Sequence, residues 1–349
     1  MWQKDNVVLR EPRISIIISC FNYEKYIVRA IESVIHQDYA NKEIIVVDDG
    51  SSDGSAAIIR GYGHCATLAF EENRGQAVAC LNAARRATGD YIHFLDADDY
   101  LMEGALARIA RACQPDVAKV QFPLIPVSAD GAVIGRPFPQ MADHTSADLI
   151  HEIGRRGCYT TPPNSGNVFR ADVLSHIGEI PYERSVDGVI YLLAPFLGEV
   201  VTLTQPQGYY RFHNQNHSQH GVLSSKRFQD EGVRFIDRLD HLASILREIG
   251  DTRFRKRPEA DYAFVCSREI LRQISEGRRP ALRLIWAHWV GLFRERADLR
   301  SLIRFGGWAT ASWVAPDRLR RGLALYLTDP QYRRWIRARL LKQGGGRFP

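Results

Sequence analysis

Gly89-Asp90-Tyr91-Ile92-His93-Phe94-Leu95-Asp96-Ala97-Asp98-Asp99 is an apolar strand that runs straight into three carboxylates within four residues. In an extended chain side chains alternate faces, so Asp96 and Asp98 are expected to point one way and Asp99 the other. Neighbouring carboxylates repel unless a cation sits between them and something anionic. A few protein oxygens, with the remaining ligands drawn from phosphate, suit Mg²⁺ or Mn²⁺. A lone Asp-x-Asp is more often a solvated turn, but the neighbouring segments alter those odds.

Upstream, Glu43-Ile44-Ile45-Val46-Val47-Asp48-Asp49-Gly50-Ser51-Ser52-Asp53-Gly54 repeats the pattern of apolar run, acidic pair and turn. Before it, Arg13-Ile14-Ser15-Ile16-Ile17-Ile18-Ser19-Cys20-Phe21-Asn22 is another near-continuous apolar run with a polar end. Such runs suit parallel strands covered on both faces. Between them, Ile27, Ala30, Ile31, Val34 and Ile35 recur at helical spacing, and Gly75 to Ala87 is Ala-rich. The order β-α-β-α-β-α-β over roughly the first 100 residues predicts an open, mostly parallel α/β sheet with right-handed crossovers. Ligands bind outside the carboxyl ends of such strands. Ser19 to Asn22, Asp48 with Asp49, and Asp96 to Asp99 all fall on that rim.

These segments resemble the family 2 glycosyltransferases of GT-A fold. The resemblance rests on Ser15–Asn22, Ile45–Asp53, Asn73-Arg74-Gly75-Gln76 and Phe94–Asp99, with weaker echoes at Ser165–Arg170, Asp187 and Tyr209-Tyr210-Arg211-Phe212-His213. It covers about residues 12 to 217. It implies a nucleotide-sugar donor, with Ser19 and Phe21 lining the base pocket and Asp49 accepting a hydrogen bond from the base. It extends the donor-binding set to Asn22, Glu24, Asn73, Gly75, Asp96 and Arg211. Asp98 and Asp96, with His213, would hold Mn²⁺ or Mg²⁺ against the diphosphate. Most members have Pro-Thr-Tyr-Asn where this chain has Ser19-Cys20-Phe21-Asn22, so the aromatic ring is kept without its hydroxyl. For Asp49 a turn or cap role is the plain alternative, which Asp53 fits better.

Transfer with inversion needs a base for the acceptor hydroxyl. Family members place it in a Glu-Asp pair opening a helix, and Glu183-Arg184-Ser185-Val186-Asp187-Gly188 occupies that position here. Asp187 matches the second member and Val186 replaces the first; Glu183 is the reserve candidate. The plain alternative for Asp187 is a helix cap. The implied function is an inverting glycosyltransferase of hexosyl- or N-acetylhexosaminyl-transferase type. It would act on a glycan or lipid-linked acceptor in polysaccharide or cell-envelope biosynthesis. A non-catalytic relative that binds nucleotide or glycan is the alternative. A dinucleotide-dependent oxidoreductase is excluded, because Ser19–Tyr23 has none of the glycines a pyrophosphate turn needs.

The chain has 349 residues, enough for two domains, and a catalytic domain over 1–225 with a helical region over 226–349 is expected. From Lys226 onward there are 27 basic and 14 acidic residues, net +13, against 19 and 26, net −7, in the preceding part. Helices are expected at Lys226–Ile249, Glu259–Glu276, Pro280–Arg296 and Pro330–Lys342, with a loose tail from Gly344. Trp286, Trp289, Phe293, Phe305, Trp308 and Trp313 lie among arginines there. They are either core or the apolar side of helices lying on an anionic membrane. No nucleic-acid motif is present. The six cysteines lack paired spacing, and no signal peptide or spanning segment is evident, so a cytoplasmic protein, peripheral on the inner face of the membrane, is expected. His213, His217 and His220 also fit a His- and Asn-rich surface loop.

Overall fold

The computed structural model describes residues 10–63, 65–70, 72–213 and 223–329, with 332, 333 and 336. Met1–Asp5, His217, His220, most of the expected helix from Pro330 to Lys342 and the tail from Gly344 lie outside the described residues. The chain forms two compact units. One comprises the residues up to His151 with Tyr159–His213 and Ile245–Asp251; the other comprises Glu152–Cys158, the stretch ending at Ser244 and the residues from Thr252 onward.

The first unit opens with β1 (Ile14–Cys20), α1 (Ile27–Ile35), β2 (Lys42–Asp49), α2 (Ser55–Arg60), β3 (Ala66–Phe70), α3 (Gln76–Ala84) and β4 (Tyr91–Asp96). The alternating order read from the sequence is present. β1 is buried at every position, as a strand covered on both faces must be. α1 turns Ile27, Ala30, Ile31 and Val34 inward. Then follow β5 (Tyr100–Leu101), α4 (Ala105–Ala112), β6 (Val117–Gln121), β7 (Leu124–Val127), α5 (Ser146–Arg156), β8 (Asn167–Arg170), α6 (Ala171–Ser175), α7 (Asp187–Leu197), β9 (Glu199–Thr202) and β10 (Gly208–Arg211).

Seven strands form one sheet in the order β3-β2-β1-β4-β8-β6-β9, and β5, β10 and β7 form a second. β3, β2, β1 and β4 run parallel, while β8 is antiparallel to both β4 and β6. The strand order grows outward from β1 in one direction to β3, then continues on its other side with β4. A crevice opens at such a reversal, and Ser19 of β1 is in register with Asp96 of β4 beside it. In the small sheet β10 lies between β5 and β7, which carries Arg211 and His213 back to the residues just after β4.

The remaining chain is helical: α8 (Ser225–Glu248), α9 (Ala263–Ser275), α10 (Leu282–Arg294), a short α11 (Leu299–Ser301), a π-helical stretch Leu302–Gly306, α12 (Gly307–Val314) and α13 (Asp317–Thr328). Phe228, Ile270, Leu271, Ile274, Ile285, Trp308, Ala309 and Ala324 form the core of the second unit. Helix between Leu299 and Thr328 is not expected from the sequence. Gly306-Gly307 breaks its pattern, and packing around Trp308 supplies what propensity does not. Among the described residues, no helix is long and apolar enough to cross a membrane. All six cysteines are free, five buried and Cys158 half-buried.

Gly50 follows the acidic end of β2 with φ 75°, and a Cβ there would lie 2.7 Å from Glu72 C and 2.8 Å from Asn73 N. These neighbours are backbone atoms, which leaves no slack. Gly50→Ala is expected to lose about 1–2 kcal/mol from the left-handed conformation alone, with further loss from the clash, measured as a lowered denaturation midpoint.

Candidate active site

The acidic segment is a turn rather than an extended strand end. β4 stops at Asp96, and the Asp99 N–H donates to the Asp96 carbonyl at 3.0 Å. This corrects the expected alternation: Asp99 does not point away. Asp96, Asp98 and Asp99 each bring a carboxylate oxygen within 4.8 Å of the others.

Each carboxylate is held by donors from distant segments. Asp96 accepts from Gln76 Nε2 at 2.6 Å and Asn164 Nδ2 at 2.8 Å. Burial, followed by the charges of Asp98 and Asp187, pushes the Asp96 carboxyl up to about 7. Asp99, almost fully buried, accepts from Ser165 Oγ at 2.5 Å and the Arg211 N–H at 2.9 Å; burial and its two neighbours raise it well above the usual carboxylate range. Asp98 Oδ2 lies 2.8 Å from His213 Nε2. The His213 ring stacks on Tyr26 at 4.8 Å and meets Tyr23 edge-on. Burial and then these same aspartates drive the Tyr23 hydroxyl pKa upward.

A cluster that favours protonation for want of countercharge is one a divalent cation would relieve. Oxygen ligands with one imidazole suit Mn²⁺ or Mg²⁺. Asp96 and Asp98 are thus brought together and Asp99 joins them, while His213 contacts Asp98.

The first two strand ends carry the expected donor residues in two different states. Phe21, just after β1, is 37% exposed. Ser19 is buried at the end of β1. Asp49 is also buried, and its two oxygens accept the Arg74 and Gly75 N–H groups at 2.9 Å each. Gly75 has φ 88°, and its N–H also reaches Asn73 Oδ1. Asn22, with φ 60°, accepts from Ser52 N–H at 2.8 Å, and Glu24 accepts from Gly54 N–H at 2.7 Å. Both shape the turn after β2. Asp53 bonds the Ser55 N–H at 2.9 Å, the turn role expected of it.

Arg211 is buried, with Nε donating to the Asp98 carbonyl at 2.9 Å and Nη1 to the Ala129 carbonyl at 2.7 Å. Its guanidinium faces the Tyr26 and Tyr100 rings at 5.0 and 5.3 Å. These contacts clamp β10 to the acidic turn.

Asp187 is the first residue of α7, where negative charge is favoured. Its Oδ1 accepts from Ser185 Oγ at 2.7 Å. Its charge acts on Asp96 and on Lys119. Val186, which replaces the expected first acid, is a fully buried N-cap residue, and Glu183 is buried as well.

Sequence reasoning assigned no role to Gln76, His93, Asn164 or Ser165. Gln76, His93 and Ser165 sit inside quoted segments, but none of these residue types advertises a contact with the acidic turn or its neighbours. His93, buried within β4, is pushed down to about 4 by desolvation, so neutral Nε2–H donates to the Ser165 carbonyl at 2.9 Å. That bond seats the 3₁₀ turn Asn164–Gly166 against the acidic turn.

Residues 15–163 match the family Glycosyl transferase family 2, and this part of the chain is a domain of that family. An uncharacterized glycosyltransferase of Nostoc sp. (strain PCC 7120) is 35% identical over 214 residues, 58% of this chain and 66% of that protein. Succinoglycan biosynthesis protein ExoU of Rhizobium meliloti is 39% identical over 100 residues, 28% of this chain and 29% of that protein. The chain thus spans less than two thirds of these relatives. Staphylococcus aureus TarS 1–349 superposes with a TM-score of 0.54 at 17% identity, over 90% of this chain and 91% of that one. TarS has been crystallised with UDP and with UDP-GlcNAc. The fold is GT-A.

Asp96→Asn keeps an acceptor for Gln76 and Asn164 and removes one repelling charge. The wild-type carboxyl is raised from 3.8 to about 7, so its ionisation costs stability above about pH 7 and nothing once protonated below about pH 4. In EDTA, Asp96→Asn should therefore raise the melting temperature at pH 8, with the gain shrinking towards pH 5.

Proposed function

We propose that the chain transfers a hexosyl or N-acetylhexosaminyl group from a UDP-sugar to a glycan or lipid-linked acceptor, with inversion, in polysaccharide or cell-envelope synthesis. The observation that carries this reading is the acidic turn of Asp96, Asp98 and Asp99 at the sheet's reversal point, with Asp187 opening a helix close enough to shift Asp96. The TarS complexes with UDP and UDP-GlcNAc support the donor class, and the name of ExoU supports the setting.

In this reading Phe21 and Ser19 receive the base, with Asp49 holding the Asn73–Gly75 loop beside it. Asp98, Asp96 and His213 would hold Mn²⁺ or Mg²⁺, which when bound offsets the charge of the diphosphate. Gln76, Asn164 and Ser165 keep the aspartates in place before ligand arrives, so little reorganisation is left for the reaction. Asp187 takes the proton of the acceptor hydroxyl as its oxygen attacks the anomeric carbon from the face opposite the nucleotide. The transfer is assigned to residues 1–225.

Calorimetry should show UDP binding that requires Mn²⁺, and Asp98→Ala should weaken it only when metal is present. Asp187→Asn should bind UDP normally and lose about 10²–10⁴-fold in turnover. Equal UDP affinity in EDTA and Mn²⁺ would remove the metal role. An α-linked product from an α-linked donor would remove inversion, and UDP binding without sugar release from any nucleotide-sugar would favour the non-catalytic alternative.

We also propose that residues 226–349 hold the protein on the inner face of an anionic membrane. The aromatics there divide between two roles. Trp308 is buried and donates Nε1–H to the Leu323 carbonyl at 3.1 Å. Leu282, Trp286, Trp289 and Phe293 fall at helical spacing along α10, and Trp286 is 71% exposed and Phe293 62%. Trp289 stacks on Phe293 and donates to Thr310, so the helical run bearing Leu299 and Ile303, 71% and 67% exposed, lies alongside. Arg283, Arg296, Arg300 and Arg304, near these residues in sequence, are exposed as well. Bulky exposed apolar groups interspersed in sequence with exposed arginines match an anionic lipid interface. Binding to 3:1 phosphatidylcholine:phosphatidylglycerol vesicles should fall steeply with salt, at about 1 kcal/mol per engaged Arg. It should be absent on pure phosphatidylcholine and lost in Trp286→Ser/Phe293→Ser. A protein that floats free of the anionic vesicles at low salt would make this region a buttress only.

A further inference from the structure

Lys119 lies in the middle of β6 with no solvent exposure, and among the described residues no carboxylate bonds its Nζ. Three oxygens surround that nitrogen: Gln121 Oε1 at 2.8 Å, Thr161 Oγ1 at 2.8 Å and Tyr159 OH at 3.1 Å. The direction of each bond follows from what lies behind it. The Tyr191 carbonyl can only accept, so Tyr159 spends its proton there at 2.8 Å and its oxygen must accept from Nζ. The Pro162 and Pro163 carbonyls can only accept, so they take the amide protons of Asn167. Asn167 Oδ1 then faces Thr161, which donates to it at 3.0 Å and must itself accept from Nζ. Gln121 Nε2 donates to Thr202 Oγ1 at 3.0 Å, which leaves its oxygen for the lysine.

Three acceptors ask for three protons. A neutral amine has two; an ammonium has three. The rings of Tyr159, Tyr191 and Phe169 also approach Nζ at 5.0, 5.6 and 5.7 Å, and such faces stabilise a cation.

We propose that Lys119 is a positioning residue for glycosyl transfer: a buried ammonium that ties the 159–167 loop to α7 at Tyr191. The loop delivers Asn164 to Asp96 and Ser165 to Asp99. The helix carries Asp187 four residues before Tyr191, on the same face, so the ring that packs on the ammonium is Asp187's neighbour along the helix. One buried charge thereby sets the acidic turn and the acceptor-side carboxylate relative to each other. Burial pulls the Lys119 pKa well below the usual lysine range, and the negative charge of Asp187 opposes that; the three acceptors are satisfied only by the charged form. The positioning role rests on the assignment of Asp187 as base, whereas the ammonium itself does not.

Two measurements test the proposal separately. In ¹H–¹⁵N spectra of the full chain at pH 7.5, one slowly exchanging lysine ammonium signal is expected that Lys119→Met abolishes. A neutral Nζ, or no protected signal, overturns the ammonium. In kinetics with the nucleotide-sugars that the wild type hydrolyses, Lys119→Met should lower kcat by about 10²-fold, as a misplaced catalytic group does, while the donor KM stays near its wild-type value. Thr161→Val, which removes one acceptor and leaves the lysine, should show a smaller fall of the same kind and decides the matter if Lys119→Met does not fold. A KM rise with kcat unchanged, in either variant, overturns the positioning role. If the wild type hydrolyses no nucleotide-sugar, the glycosyltransferase reading and the positioning role that rests on it fail together, and the ammonium signal still stands or falls on its own.

Discussion

Like charges packed at the end of β4 are the constraint from which the rest of the first unit follows. Asp96, Asp98 and Asp99 crowd within 4.8 Å, and nothing in an isolated strand end would keep them there. Their donors come from α3, from the turn before β8 and from the residues that end and follow β10: Gln76, Asn164, Ser165, the Arg211 N–H and His213. Most of these are neutral groups, which orient a carboxylate without cancelling its charge. A site arranged in this way holds its anions ready for a cation.

The small β5-β10-β7 sheet acquires its purpose from the same requirement. Pairing of Tyr209 with Tyr100 fixes the register that sets the Arg211 N–H on Asp99, and Arg211 then spends its side chain on carbonyls and aromatic faces. An arginine this enclosed braces the acidic turn. Asp49 behaves likewise, since its oxygens bind the backbone of Arg74 and Gly75 and so fix that loop at the end of β2.

The second unit resolves its aromatic residues by position. Trp308 fills a helical core with Ile270, Leu271 and Ile285, while Trp286 and Phe293 face outward among arginines. The same residue type thus serves packing on one helix and surface on another. Composition alone has no means of separating the two, because both are Trp beside Arg.

Local pattern determined the parallel sheet. The continuous apolar runs of β1, β2 and β4 bury both faces whatever the rest of the chain does, and α1 shows its inward stripe at helical spacing. The acidic strand ends are legible for the same reason, since an Asp following an apolar run must emerge at the rim. Tertiary structure decided the rest. Whether Asp99 points away or joins Asp96 depends on a turn bond that strand periodicity does not encode. Lys119, Gln76, Asn164 and Ser165 carry no signal of their own, because their significance lies in partners 20 to 68 positions away or in the burial of a whole cage around them. A hydrogen-bond partner is a property of three-dimensional neighbours, and sequence periodicity reports only which side of an element faces the core.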